Sequence, residues 1–91
     1  MAVIHLRVAG RVQGVGFRWF VLEMANELEL SGWVRNTPDG DVELVASGDR
    51  AKLEQLASAV GRGPVGARVT EVRRLATVGG DVYPFPFRIE R

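Results

Sequence analysis

The chain has 91 residues, of which 46% are hydrophobic, with a formal net charge of +1 and no cysteine. This is the size of one domain able to bury a core, and the missing cysteine excludes a disulfide framework, a thiolate zinc site and a cysteine nucleophile. The near-neutral balance provides no global field for nucleic acid or a membrane surface. No stretch approaches the roughly 20 apolar residues of a membrane span. The opening MAVIHLRVAG lacks a basic segment followed by a long apolar block, so no signal peptide is expected. One domain over residues 1–91 in the cytoplasm is the resulting expectation.

Residues 3–9 alternate, with Ile4, Leu6 and Val8 on one side and His5 and Arg7 on the other, which predicts a half-buried strand with His5 at the surface. From Phe17 the period changes. Phe17, Val21, Met24, Ala25 and Leu28 follow helical spacing, and Ser31-Gly32 is read as the stop. Trp33 to Asn36 reads as a short strand, Thr37-Pro38-Asp39-Gly40 as a turn, and Val42, Leu44 and Ala46 as the return strand of a hairpin. Asp49 is the expected cap of a second helix, whose apolar face is Leu53, Leu56, Ala57 and Val60, with Gly61 as its end. A loop follows at 62–66, then a fourth strand at 68–77 and a poorly structured segment at 78–84. Phe85, Phe87 and Ile89 alternate with Pro86, Arg88 and Glu90. Pro86 cannot donate to a ladder, so this last strand belongs at a sheet edge. All four phenylalanines are expected in the core. The order β-α-β-β-α-β plus an edge strand predicts a ferredoxin-like α+β sandwich, two helices on one face of a mostly antiparallel sheet.

The segment GRVQGVGFR, residues 10–18, joins the first strand to the first helix. It lacks the third glycine of a dinucleotide loop and the Gly-Lys-Ser or Gly-Lys-Thr of a Walker loop. It also lacks the Ser, Thr, Asp or Asn that ordinarily satisfies a helix's first N–H groups. Two readings stand. The free amides of Gln13, Gly14, Val15, Gly16 and Phe17, with Arg18, form a nest for phosphate or another anion. Alternatively, this is a glycine-rich turn with Arg18 in solvent.

A helical crossover makes the first two strands run in the same sense, so their carboxyl ends share a sheet edge. If the third strand lies between them they are about 10 Å apart, a gap side chains can largely close, and Asn36 is expected beside the Arg18 loop. Asn36 either serves a site there or starts the turn that follows. This edge offers no strong base, since Asn is not one and Arg stays protonated. It contains no metal-ligand pattern. It could bind a phosphoryl group and position water, but it has no acid for an alkoxide leaving group. A carboxylate leaving group, whose acid has a pKa of about 4, needs no such acid. An acyl phosphate fits that chemistry.

GRVQGVGFR, with SGWVRNTPDGDVE and GPVGARVTEV, resembles the acylphosphatase family over nearly the whole chain. The resemblance implies hydrolysis of a carboxylic–phosphoric anhydride without metal or cofactor. It implies that Arg18 binds the phosphoryl group, that the amides from Gln13 to Phe17 cradle its oxygens, and that Asn36 orients the attacking water. Thr37 follows as in many relatives and could support that geometry. Trp19 would either shield the site or lie on the helix surface. A small acyl phosphate is the expected partner, with no nucleic acid, no membrane and a monomeric state. Two other classes stay open: an acylphosphatase-like module as found in hydrogenase-maturation carbamoyltransferases, and a ferredoxin-like regulatory or RNA-binding module, which would need exposed aromatics on its central strands.

Overall fold

The strand–helix order of the sequence is realised as β1 (Ala2–Arg11), α1 (Phe17–Glu27), β2 (Ser31–Asn36), β3 (Val42–Gly48), α2 (Arg50–Arg62), β4 (Arg68–Arg74) and β5 (Arg88–Ile89). The computed structural model describes residues 2–77 and 82–90. The five strands form one sheet in the order β4-β1-β3-β2-β5. β1 runs antiparallel to β3 and β4, β2 antiparallel to β3, and β5 parallel to β2. β3 therefore lies between β1 and β2, and its antiparallel pairing with both gives those two strands a common direction. This is the ferredoxin-like α+β fold.

Alternation in the strands divides the sheet into two faces. Ile4, Leu6 and Val8 of β1 align with Ala46, Leu44 and Val42 of β3, and Val34 of β2 sits opposite Leu44. All are buried, and they form one cluster with Phe17, Val21 and Ala25 of α1 and Leu53, Leu56 and Val60 of α2. Full burial of a side chain of this size stabilises by about 1.5–3 kcal/mol. The opposite face carries His5, Arg7, Trp33, Arg35 and Glu43.

Several element ends differ from the sequence reading. Ser31-Gly32 does not stop α1; it opens β2. The helix ends at Glu27 in a Schellman arrangement. Glu29 N–H donates to Asn26 O at 3.0 Å and Leu30 N–H to Ala25 O at 2.9 Å, and Glu29 takes the left-handed conformation, φ 56°. Gly32 is required for another reason: at φ 138° a Cβ would lie 1.9 Å from the Val45 carbonyl oxygen. Gly61 lies inside α2, and Gly63 caps it, its N–H donating to Ala59 O at 2.9 Å. Asp49 caps the other end as expected, accepting from Lys52 N–H at 3.3 Å.

β4 stops at Arg74, three residues short of the expected end, although Leu75 N–H still donates to His5 O at 2.8 Å. Of the segment 78–84, residues 78–81 lie outside the described residues. The expected strand 85–90 contracts to Arg88–Ile89, at the sheet edge as predicted. Phe85–Pro86 is a cis peptide bond. Phe85 is 65% exposed, against the core expectation, whereas Phe17 and Phe87 are buried and Phe20 half-buried. The tail is fastened to β2 by Gly32 N–H donating to Pro84 O and Glu90 N–H to Val34 O, both at 2.8 Å. Among the described residues, no helix is long and apolar enough to cross a membrane.

Candidate active site

Arg18 and Asn36, 18 residues apart in sequence, line one open depression of about 380 Å³ at the carboxyl ends of β1 and β2. The wall on the β1 side is the turn into α1. Val12 is buried and anchors the turn. Gly14 and Gly16 follow with φ of 75° and 78°. A Cβ at either would meet open space, so the left-handed backbone, not crowding, is what calls for glycine there. Gly16 is the N-cap of α1; no side chain caps it, and no acidic residue occupies the first turn. The first intrahelical bond is Phe20 N–H to Gly16 O at 3.0 Å, so the amides before Phe20 have no acceptor within the helix.

Arg18 is half-buried in this first turn, and among the described residues no carboxylate pairs with it. Arg7, Arg35, Arg74 and Arg88 all have acidic partners. A helix N-terminus without a cap beside an unpaired guanidinium makes an electropositive concavity. Of the other loop residues, Phe17 lines the depression at the edge of the core, its ring edge-on to Phe20 at 6.1 Å. The side chains of Gln13 and Val15 do not line it. Val15 packs against the core.

Gln13 carries a role that its residue type alone did not reveal. Its Nε2 donates to Thr37 O at 2.8 Å and to Asp41 O at 2.7 Å. One side chain thereby fastens the glycine loop to the β2–β3 hairpin, on which Asn36 stands. The hairpin is braced in turn. Thr37 is buried; its N–H donates to Asp41 O at 2.9 Å, and its Oγ1 accepts from Asp41 N–H at 3.0 Å and donates to Asp39 Oδ1 at 2.5 Å. Arg7 on β1 reaches both aspartates, Nε to Asp41 at 2.9 Å and Nη2 to Asp39 at 2.6 Å. The Thr37 hydrogen bond lowers the Asp39 pKa from its ordinary 3.8; desolvation opposes it, and the charge and hydrogen bond of Arg7 add to the lowering. Asp39 thus does more than turn the chain.

Asn36 is the last residue of β2, in register with Val42. Its Oδ1 is buried without a hydrogen-bond partner among the described residues. An acceptor left unmade in this way costs about 1–3 kcal/mol. On the open face of the sheet, His5 is more than a surface residue. Its Nε2 lies 2.6 Å from Glu43 Oε2, while Arg35 donates to Glu43 Oε1 through Nε at 2.9 Å and Nη2 at 2.8 Å. This cluster adjoins the hairpin from the side opposite the depression.

The acylphosphatase family model matches residues 4–79. An acylphosphatase of Anaeromyxobacter sp. is 47% identical over 89 residues, 97% of this chain and 96% of that protein. The crystal structure of acylphosphatase from Bacillus subtilis is similar with a TM-score of 0.85 and 38% identity, over 100% of both chains. The structure of an acylphosphatase from Coxiella burnetii gives a TM-score of 0.87 at 43% identity, over 97% of this chain and 90% of that one. Matched in sequence and in fold along nearly its whole length, and carrying its uncapped loop, unpaired arginine and strand-end asparagine in one depression, the chain belongs to the acylphosphatase family and hydrolyses acyl phosphates to carboxylate and inorganic phosphate.

Proposed function

We propose that the depression binds the phosphoryl group of the substrate through Arg18 and the backbone amides of Gln13 to Phe17, with Asn36 orienting the water that attacks phosphorus. The observation that carries this reading is the unmet demand on both walls: free amides and an unpaired guanidinium on one, an unpartnered Asn36 Oδ1 on the other. Three phosphoryl oxygens satisfy the donors, and a water hydrogen satisfies the acceptor. The guanidinium fork offers two parallel donors to phosphate.

Attack in line with the P–O bond to the acyl group forms one P–O bond as the other breaks. The water's proton passes to a phosphoryl oxygen, and the acyl oxygen departs as carboxylate, which needs no protonation. Positioning and fixed positive charge supply the acceleration; neither requires a metal or a cofactor. Residues 1–91 act here as one domain, and one copy suffices because both walls belong to one chain. A nucleic-acid partner is not part of this reading: Trp33, the aromatic of β2 on the open face, lies under the Arg35 guanidinium at 5.0 Å.

Steady-state hydrolysis of benzoyl phosphate by Asn36→Ala tests the division of labour. The expected result is a kcat lower by roughly 10²–10³ with KM and competitive inhibition by inorganic phosphate little changed. A variant that changed KM alone would remove Asn36 from the role of orienting water.

A further inference from the structure

Trp19 is 61% exposed, an unusual place for the largest apolar side chain of a helix whose inner face is already filled by Phe17, Val21 and Ala25. It lines the depression that holds Arg18 and Asn36. It also lines a second, shallower groove of about 340 Å³ with Phe20, Met24 and Pro64, and Gly16 borders both. The indole is thus the ridge between the phosphoryl site and a groove along α1 with both apolar and acidic walls.

In-line displacement decides what that ridge faces. The leaving group departs from the side of phosphorus opposite the attacking water. With water held at Asn36 on the β2 wall, the opposite side is the α1 wall, where Trp19 stands. Resting on the reading of Arg18 and Asn36 given above, we propose that Trp19 is the platform for the acyl group of the substrate, and that the groove beyond it receives acyl groups larger than acetyl. Glu23 and Glu27 also line that groove and repel an acyl group bearing its own carboxylate. The substrate class is an acyl phosphate with an uncharged, apolar or aromatic acyl group.

The test is the ratio of kcat/KM for benzoyl phosphate to that for acetyl phosphate. The wild type favours benzoyl phosphate, Trp19→Ala lowers the ratio by about tenfold, and Trp19→Phe restores most of it, since a ring stacks where a methyl group cannot. Both variants fold, as the side chain stands outside the core, and circular dichroism checks this. The para-carboxy analogue of benzoyl phosphate keeps the ring and adds charge; at low salt the wild type turns it over more slowly than benzoyl phosphate, and added salt narrows the gap. An unchanged ratio in Trp19→Ala, with both substrates still hydrolysed, overturns the platform and leaves the phosphoryl site standing. Equal rates for the charged and uncharged rings at low salt overturn the uncharged class. Hydrolysis of neither substrate by the folded wild type would instead overturn the reading of Arg18 and Asn36 itself.

Discussion

A single glutamine holds the two walls of the site in register. Gln13 spans from the glycine loop to carbonyls of the hairpin 24 and 28 residues away, and among the described residues no other side chain of the loop makes such a bridge. Two hydrogen bonds of this kind contribute about 2 kcal/mol together. Gln13→Ala should therefore destabilise the protein by about that amount and weaken inhibition by inorganic phosphate, because the loop amides no longer keep their aim. Thermal denaturation and product-inhibition kinetics measure the two effects. A stability loss with phosphate inhibition intact would make Gln13 a structural clasp only. That Arg18 and Asn36 meet at one sheet edge was legible in the sequence, because a helical crossover carries the ends of the first two strands to the same side. The Gln13 side-chain bridge was not legible, since its partners are main-chain carbonyls that no residue type announces.

The elements themselves were readable where one periodicity ran unbroken, and misread where a distant contact set the boundary. The helical spacing of Phe17, Val21 and Ala25 matches the buried face of α1. Ser31-Gly32 carried the local signature of a helix stop, yet Gly32 answers to the Val45 carbonyl of the neighbouring strand. The turn of the backbone falls instead on Glu29, which has no sequence signal for it. A non-glycine residue in that conformation carries a penalty of about 1–2 kcal/mol, partly offset by the extra freedom glycine has in the unfolded chain. Glu29→Gly should raise stability by roughly 0.5–1 kcal/mol, since the exposed Glu29–Lys52 contact at 3.8 Å adds little. A fall in melting temperature would show that the Glu29 side chain outweighs its backbone. The last strand was placed at the correct edge by Pro86, but alternation alone overstated its length and buried Phe85 wrongly.

Across the whole molecule, the sheet separates an apolar face under two helices from a polar face that braces the site's hairpin. Glu43 is the centre of that polar face. Burial works to raise its pKa, but the hydrogen bonds from His5 and Arg35, and their charges, outweigh it, and the net shift is downward from 4.5. A carboxylate with a depressed folded-state pKa contributes stability that is present above its unfolded value. That contribution fades as pH falls through the folded value. Unfolding stability of the wild type should thus drop as pH is lowered from about 5 to about 3. Glu43→Gln should be less stable than wild type at neutral pH and should show a flatter acid limb. Parallel acid limbs for the two proteins would mean that other carboxylates govern the transition.

Benzoyl phosphate hydrolysis in excess EDTA, with wild type and Arg18→Ala side by side, probes whether the uncapped loop and Arg18 form the phosphoryl site of a hydrolase that needs no metal. Rapid turnover by the wild type and a loss of at least roughly 10²–10³ in the variant are expected. Turnover by Arg18→Ala close to that of the wild type would remove Arg18 from phosphoryl binding, and wild-type activity abolished by EDTA would make the reaction metal-dependent.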